Sequence, residues 1–403
     1  MVNNSWKESS LTDLCSVQIG LTHTPKYILH GVPFLSAKDL NNGELSFKDA
    51  KYISQEEFLT ISDAAKPKNG DIVFGRVGTL GNPCIVNTEN DFAIFVSLGY
   101  LRTKEGVLNE FIYHWLKSDL FHRLVEEKIA GSSQKNLNTG WLKEFFVVLP
   151  PQNEQKCIAQ ALSDVDSMIS SLKKLIAKKK LLKQGAMQEL LTGKRRLQGY
   201  NEKWKESAIE DIGNLIRGVS FDSDSVSTSF FENSIPILRA NNIVDGNLFL
   251  HDLIFVDKHF VKEHQYHREN DILICSANGS KRLVGKAALI KSDDNMSFGA
   301  FMTTLRCNNA SMALYFSMFM RTDEYRKQIN DLLCGSAINN LNSKQLYTIK
   351  LKHPSDQAEQ HAITTILSDM DAEIAELEAK RDKYKEVRQG MMQQLLTGKI
   401  RLI

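Results

Sequence analysis

The hydrophobic positions of this chain change period in the same way in each half. One set runs Ile158, Leu162, Val165, Ile169, Leu172 and Ile176, alternately four and three apart; the pattern returns as Ile363, Leu367, Met370, Ile374 and Leu377, passes Arg381 and resumes at Tyr384. This spacing predicts a long helix with a narrow coiled-coil seam. Pro150-Pro151 stops a strand-like run, so the first helix starts at Gln152, and Asp356-x-x-Glu359 reads as a capping box for the second. Gly193 and Gly398 stand where such helices end. Each would span about 40 residues, or roughly 60 Å at 1.5 Å per residue.

Ahead of each helix the apolar runs are short and bounded by Gly, Pro and Asn, which predicts strands joined by turns. Val32-Pro33-Phe34-Leu35-Ser36-Ala37-Lys38-Asp39-Leu40 matches Ile235-Pro236-Ile237-Leu238-Arg239-Ala240-Asn241-Asn242-Ile243, and a glycine follows three residues later in both (Gly43, Gly246). Gly70-Asp71-Ile72-Val73-Phe74 matches Asn270-Asp271-Ile272-Leu273-Ile274, and Trp6-Lys7-Glu8-Ser9 matches Trp204-Lys205-Glu206-Ser207. Helical spacing of Leu108, Phe111, Ile112, Trp115, Leu116, Leu120 and Leu124 predicts one amphipathic helix after the strands.

These matches form an internal repeat. Positions 154 and 359 differ by 205, as do 194 and 399, and about half of the residues aligned between the two long helices are identical. The repeat divides the chain into a globular domain (1–150), a central helix (151–197), a second globular domain (198–353) and a C-terminal helix (354–403). A helix with one narrow apolar stripe needs a partner. Antiparallel pairing of the two, midpoint on midpoint, places Glu373, Glu376 and Glu378 opposite the 178–183 lysine region. For most of lysines 178–180 a solvated face is favoured over pairing, since exposed ion pairs contribute only ~0–1 kcal/mol; contact with phosphates is a third reading. The fold class expected is α+β: two similar mixed α/β domains separated by a long antiparallel two-helix coiled coil, with approximate two-fold symmetry.

Composition changes this picture little. With 42% apolar and 24% charged residues, neither disorder nor a fibrous class is indicated. A net charge of +2 requires any nucleic-acid surface to be a local basic face rather than a property of the whole chain. No signal-like stretch opens the sequence and no run approaches ~20 apolar residues, so a cytoplasmic location without membrane contact is expected. The six cysteines form no C-x-x-C pair, which argues against a disulfide framework or a four-ligand zinc site.

Candidate chemistry lies in loops between the matched strands. Gly75-Arg76-Val77-Gly78-Thr79-Leu80-Gly81 lacks the spacing of a phosphate-binding loop. It is either a tight turn demanding positive φ or a loop pressing Arg76 and Thr79 against DNA. Its counterpart is Cys275-Ser276-Ala277-Asn278-Gly279-Ser280-Lys281-Arg282, with different side chains. Ser132, Ser133, Gln134, Lys135 and Asn136, matched by a segment containing Asn339 and Asn340, suit base-edge contacts and equally suit local turn hydrogen bonds. Ser36 and Lys38 in the first half, against Arg239, Asn241 and Asn242 in the second, complete the candidate DNA-binding set, with Ser276, Asn278, Ser280, Lys281 and Arg282. His251, His259, His264 and His267 match no common metal spacing. Asn82-Pro83-Cys84 lacks the second proline and the aromatic ring of an adenine-methylase motif. No catalytic, cofactor or metal residue is therefore assigned.

The paired helices, E-Q-x-x-I…L-x-D-x-D…Q-x-L-L-T-G-K from Glu154 and Glu359, following globular regions with G-D-I or N-D-I segments, resemble the specificity subunit of type I restriction-modification systems over nearly the whole chain. The resemblance implies two target recognition domains, each reading one half of a split, asymmetric DNA site, with the helices setting the spacer. It implies a non-catalytic subunit that binds double-stranded DNA, two modification (methyltransferase) subunits and the restriction (translocase/endonuclease) subunits. S-adenosylmethionine, ATP and Mg would belong to those partners. The specificity component of a type IIB enzyme is a close alternative; a DNA adenine methyltransferase and a structural coiled-coil adaptor are alternatives of other classes.

Overall fold

The computed structural model describes residues 6–41, 43–78, 80–130, 136–334 and 339–402. The chain is mixed helix and sheet and divides into two compact units: Met1–Lys173 with Glu378–Ile403, and Lys174–Leu377. The central helix Gln152–Leu190 and the C-terminal helix Gln357–Leu395 have 39 residues each. Each helix gives one part to either unit, so the compact units cut across the linear segments of the repeat.

In the first unit a four-stranded antiparallel sheet is ordered Cys15–Ile19, Leu98–Thr103, Ile72–Gly75, Gly81–Ile85. A three-stranded sheet is ordered Lys51–Ile53, Val32–Leu35, Ala93–Ile94, with Phe34 opposite Ala93 in the parallel pair. Lys7–Ser10 pairs with Phe146–Leu149 just before the central helix. The second unit repeats this order: Gly213–Arg217, Met302–Cys307, Asp271–Cys275, Ala287–Leu289 in one sheet, and Ile254–Asp257, Ser234–Leu238, Ser297–Phe298 in the other.

The matched sequence segments have common structural causes. Gly70 and Asn270 both have positive φ, 86° and 69°, a conformation that Gly and Asn tolerate best. The aspartate that follows is buried in both units and takes a bidentate arginine: Asp71 with Arg102 at 2.9 and 2.7 Å, Asp271 with Arg306 at 2.9 and 2.7 Å. Each also accepts a backbone N–H three residues back, from Lys68 and Arg268.

The single helix expected across Leu108 to Leu124 is instead two, Asn109–Leu116 and Asp119–Ala130. Ser118 makes the break: its hydroxyl donates to Trp115 O and accepts from Phe121 N, ending one helix and capping the next. Thr322 does the same in the second unit, between Ala310–Phe319 and Asp323–Leu332.

The long helices begin inside the domain cores. Ile158 and Leu162 pack in one core with Trp115, Val147, Met392, Leu395 and Leu396, and Ile363 and Leu367 in the other with Leu190, Leu191 and Phe319. The first seam positions thus serve the domain core rather than a free coiled coil. Within each unit the helical segments run antiparallel. Lys179 bonds Glu373 at 2.6 Å, Lys183 bonds Asp371, and Arg196 bonds Glu359. In the first unit Asp166 meets Arg388, and Glu154 meets Arg401. Lys179–Glu373 is a pairing anticipated from the sequence; Asp371 was not anticipated.

The expected capping box at Asp356-x-x-Glu359 is only half made. Asp356 caps Ala358 N at 2.8 Å, but Glu359 turns inward to Arg196 and the Trp204 indole. Glu154 is its twin: fully buried, it takes Arg401 Nε and Nη2 at 2.5 and 2.6 Å and the Trp6 indole N–H at 3.0 Å. Burial pushes the Glu154 carboxyl up, yet Arg401 and Trp6 together outweigh it and hold it below the usual carboxylate range. Gly193 and Gly398, φ 71° and 70°, end the helical segments, and Trp204 and Trp6 lie so close to them that a Cβ would sit 3.0 and 3.2 Å from the ring. Among the described residues no helix is long and apolar enough to cross a membrane.

Candidate nucleic-acid interface

Each unit gathers separate loop tips at one place, and hydrogen bonds to the backbone join four of them in the first unit and three in the second. In the first unit Ala37 N donates to Ser97 Oγ at 3.0 Å, Arg76 N to Ser97 O at 2.9 Å and Leu137 N to Arg76 O at 2.8 Å, while Val77 bridges Asn136. In the second, Ser276 N donates to Phe301 O at 3.0 Å and Leu341 N to Ser276 O at 2.8 Å; Asn278 N donates to Asn339 O at 3.2 Å, and Ala277 bridges Asn340. These shared bonds make Arg76 the counterpart of Ser276, Asn136 of Asn340, and Ser97 of Phe301.

The candidate residues divide into those that present side chains and those that hold the frame. Ser36 donates its hydroxyl to Asp39 Oδ2 at 3.0 Å. Asn242, fully buried, stands where Asp39 does: its Oδ1 accepts Arg239 N, and its Nδ2 donates to Phe249 O and His251 O. An amide whose donors and acceptor are engaged inside the fold has nothing left to offer a base. The assignment of Asn242 to DNA contact is therefore corrected to a turn-holding role. Ser276 is likewise buried, its Oγ donating to Phe301 O at 2.9 Å.

Arg76 is half-buried; Nε and Nη1 donate to the carbonyls of Leu137 and Val96, and burial lowers its pKa. Its bonds tie the tips together. Gly78 and Gly81 have positive φ, 79° and 76°, so the turn reading holds at these two, while Gly75 ends the strand Ile72–Gly75.

Exposed side chains at the tips are Lys38 and Asn136 in the first unit, and Asn241, Ser280, Lys281, Arg282 and Asn340 in the second. Thr79, Ser132, Ser133, Gln134 and Lys135 lie outside the described residues.

Four candidates in the second unit share one cleft of about 1070 Å³: Arg239, Asn241, Asn278 and Asn339 line it with Phe221 and Phe301. Its full lining contains no aspartate or glutamate. Arg239 Nη2 donates to Asp252 O, Asn278 Oδ1 accepts Ser280 N and Asn339 Nδ2 donates to Gly279 O; unlike Asn242, each keeps further polar atoms, which in this acid-free hollow suit base edges and phosphates. The Ser97 and Phe301 positions and the 219–221 segment were missed from sequence. The signal was slight: only Leu101-Arg102 and Leu305-Arg306 tie together the strands that follow them.

Among the described residues no group of three or more His, Cys, Asp or Glu side chains could hold a metal ion. His267 is buried, with burial lowering its pKa, and His259 is hydrogen-bonded to Asp257 at 2.7 Å.

The family model for the type I restriction modification DNA specificity domain matches residues 3–181 and again 201–386. The chain is 34% identical over 201 residues to the StySPI specificity subunit of Salmonella potsdam, covering 49% of this chain and 43% of that protein. It is 32% identical over 203 residues to the EcoKI specificity subunit of Escherichia coli K12, covering 49% and 44%. The match thus spans less than half the length of these two relatives. The putative MjaX specificity subunit of Methanocaldococcus jannaschii is 23% identical over 100% of this chain and 95% of its own. The crystal structure of a type I restriction-modification S subunit from M. genitalium has the same fold, with a TM-score of 0.58 at 16% identity over 98% of both chains. With a domain match in each half and the same sheet order in each unit, the chain belongs to the type I restriction modification DNA specificity domain family and carries that domain twice.

Proposed function

We propose that this chain is the non-catalytic specificity subunit of a type I restriction-modification complex, each unit reading one half of a bipartite, asymmetric DNA site. The observation that carries this reading is a common frame with different tips. The buried aspartate with its arginine fork, the strand order and the loop-to-loop bonds recur in both units. The tip residues differ: Lys38 against Asn241, Gly78 against Asn278, and an inward-bonded Ser97 against an exposed Phe301. A duplicated scaffold that keeps its supports and varies its tips fits two readers of unlike sequences.

On this reading the long helices set the spacer and receive two modification subunits, which use S-adenosylmethionine to methylate adenine N6, while the restriction subunits add ATP- and Mg-dependent translocation and cleavage. Methylation mapping of cells that express the chain with its modification subunit tests it. The expected result is one split motif with two different halves and a fixed spacer. Methyl transfer by the purified chain alone, or a single continuous motif, would overturn the proposal.

A further inference from the structure

We infer that Phe301 is a specificity-determining residue of the second unit, its ring packing against the C5 methyl of a thymine in the half-site read there. This rests on the proposed DNA-reading role and goes beyond it by naming a residue and the base group it contacts.

Phe301 is 72% exposed, a large apolar ring left in water at the mouth of an acid-free cleft beside Arg239, Asn241, Asn278 and Asn339. Its backbone is anything but loose. The Phe301 carbonyl accepts Ser276 N at 3.0 Å, Ala277 N at 3.1 Å and Ser276 Oγ at 2.9 Å, and the next residue, Met302, donates its N–H to Gly299 O at 2.8 Å. The ring is therefore carried on a fixed base, with little ordering left to do on binding.

The fold does not require a ring at this position. In the first unit Ser97 occupies it with the same backbone bonds, Arg76 N to Ser97 O and Leu98 N to Phe95 O, and its hydroxyl supports Ala37 N. A solvated phenylalanine where the sibling fold manages with serine points to a contact made outside the chain. The surrounding groups identify that contact. Amides and a guanidinium suit the donor and acceptor pattern of the major groove, where the one apolar feature on a base-pair edge is the thymine methyl.

The test uses the full chain with its modification subunit and duplex DNA bearing the mapped site. The half-site belonging to the second unit is the one whose binding responds to Asn241→Ala. Thymines in that half are replaced one at a time by deoxyuridine, which lacks only the methyl. One replacement should weaken wild-type binding about fourfold, the worth of one buried methyl group. That same replacement should be silent in Phe301→Ser. The serine variant itself should lose on the order of tenfold in affinity for this half-site, keep its melting temperature and leave the other half-site unaffected; Phe301→Tyr, which retains a ring, should recover most of the loss.

A uracil penalty that persists in Phe301→Ser, a half-site without any A·T pair, or a serine variant that loses only its modification subunit would each overturn the inference. If wild-type complex fails to bind any bipartite DNA, the proposed function falls and this inference with it.

Discussion

The two units place the same loop tips on the same backbone bonds, yet they use the central position oppositely. In the first unit Ser97 faces inward and holds Ala37, while Arg76 ties two carbonyls, so a long cationic side chain is engaged in keeping the tips together. In the second unit Ser276 does the tying with a short hydroxyl, and Phe301, Arg239, Asn241 and Asn278 line an open cleft. Duplication thus preserved where tips meet and let the work of holding them pass between residues. A residue matched by alignment need not share a role with its counterpart.

The largest effects should come from what the units share. Asp71→Ala and Asp271→Ala each remove a buried carboxylate from a partly exposed arginine fork and from a backbone N–H, at a cost of about 2 kcal/mol. Hydrogen exchange should show each variant loosening its own unit by a similar amount; very unequal losses would break the claim of a common frame.

A smaller effect should separate the units by pH. His114 is buried against Ser163 Oγ at 2.9 Å, and burial pushes its pKa down to about 4, whereas Met318 stands at the matching helix position in the second unit. A depressed histidine stays neutral when folded, so the unfolded chain takes up the proton first as pH falls through about 6.5. The first unit should therefore lose roughly 2 kcal/mol between pH 7 and pH 5 from this group, and His114→Met should flatten that slope in urea titrations. Glu154 and Asp166 act lower still. For Asp166 too, burial raises the pKa, but Lys117 and Arg388 outweigh it and hold the group below its ordinary value. The stability these carboxylates add is complete above about pH 4.3 and is lost as pH falls through their lowered folded values.

Tip substitutions should be weaker and one-sided. Asn278→Ala should cost about 1 kcal/mol of discrimination at one half-site, read by binding to base-substituted duplexes, and nothing at the other. Lys38→Ala should weaken binding uniformly across sequences and lower the salt slope by about 1, and a sequence-dependent loss would move Lys38 among the base readers. Least of all, Lys179→Ala should change stability by less than ~1 kcal/mol, since its pairing with Glu373 is partly exposed.

The frame was legible in the sequence because its parts are local: helix seams, the matched strand segments at Gly70 and Asn270, helix ends at Gly193 and Gly398, and the proline stop before Gln152. What stayed hidden depends on long-range contacts. Asn242 reads like a base-contacting amide until the carbonyls of Phe249 and His251 close around it. Glu359 looks like a cap until Arg196 arrives from 163 residues away. Ser118 breaks a helix that apolar spacing alone would continue, because the spacing does not register a side chain bonding to its own backbone.

The clasp of Trp6, Glu154 and Arg401 also sets an order of events during synthesis. The second unit is one continuous run, Lys174–Leu377, and can close while the ribosome is still adding residues. The first unit includes Glu378–Ile403, so its core waits for Met392, Leu395 and Leu396, and the buried Glu154 for Arg401, to emerge. A chain cut short after Leu377 would leave that carboxylate without its guanidinium. Translation that stops early would thus tend to yield one finished reader beside an unfinished one, exposed to proteolysis rather than persisting as a half-specific protein.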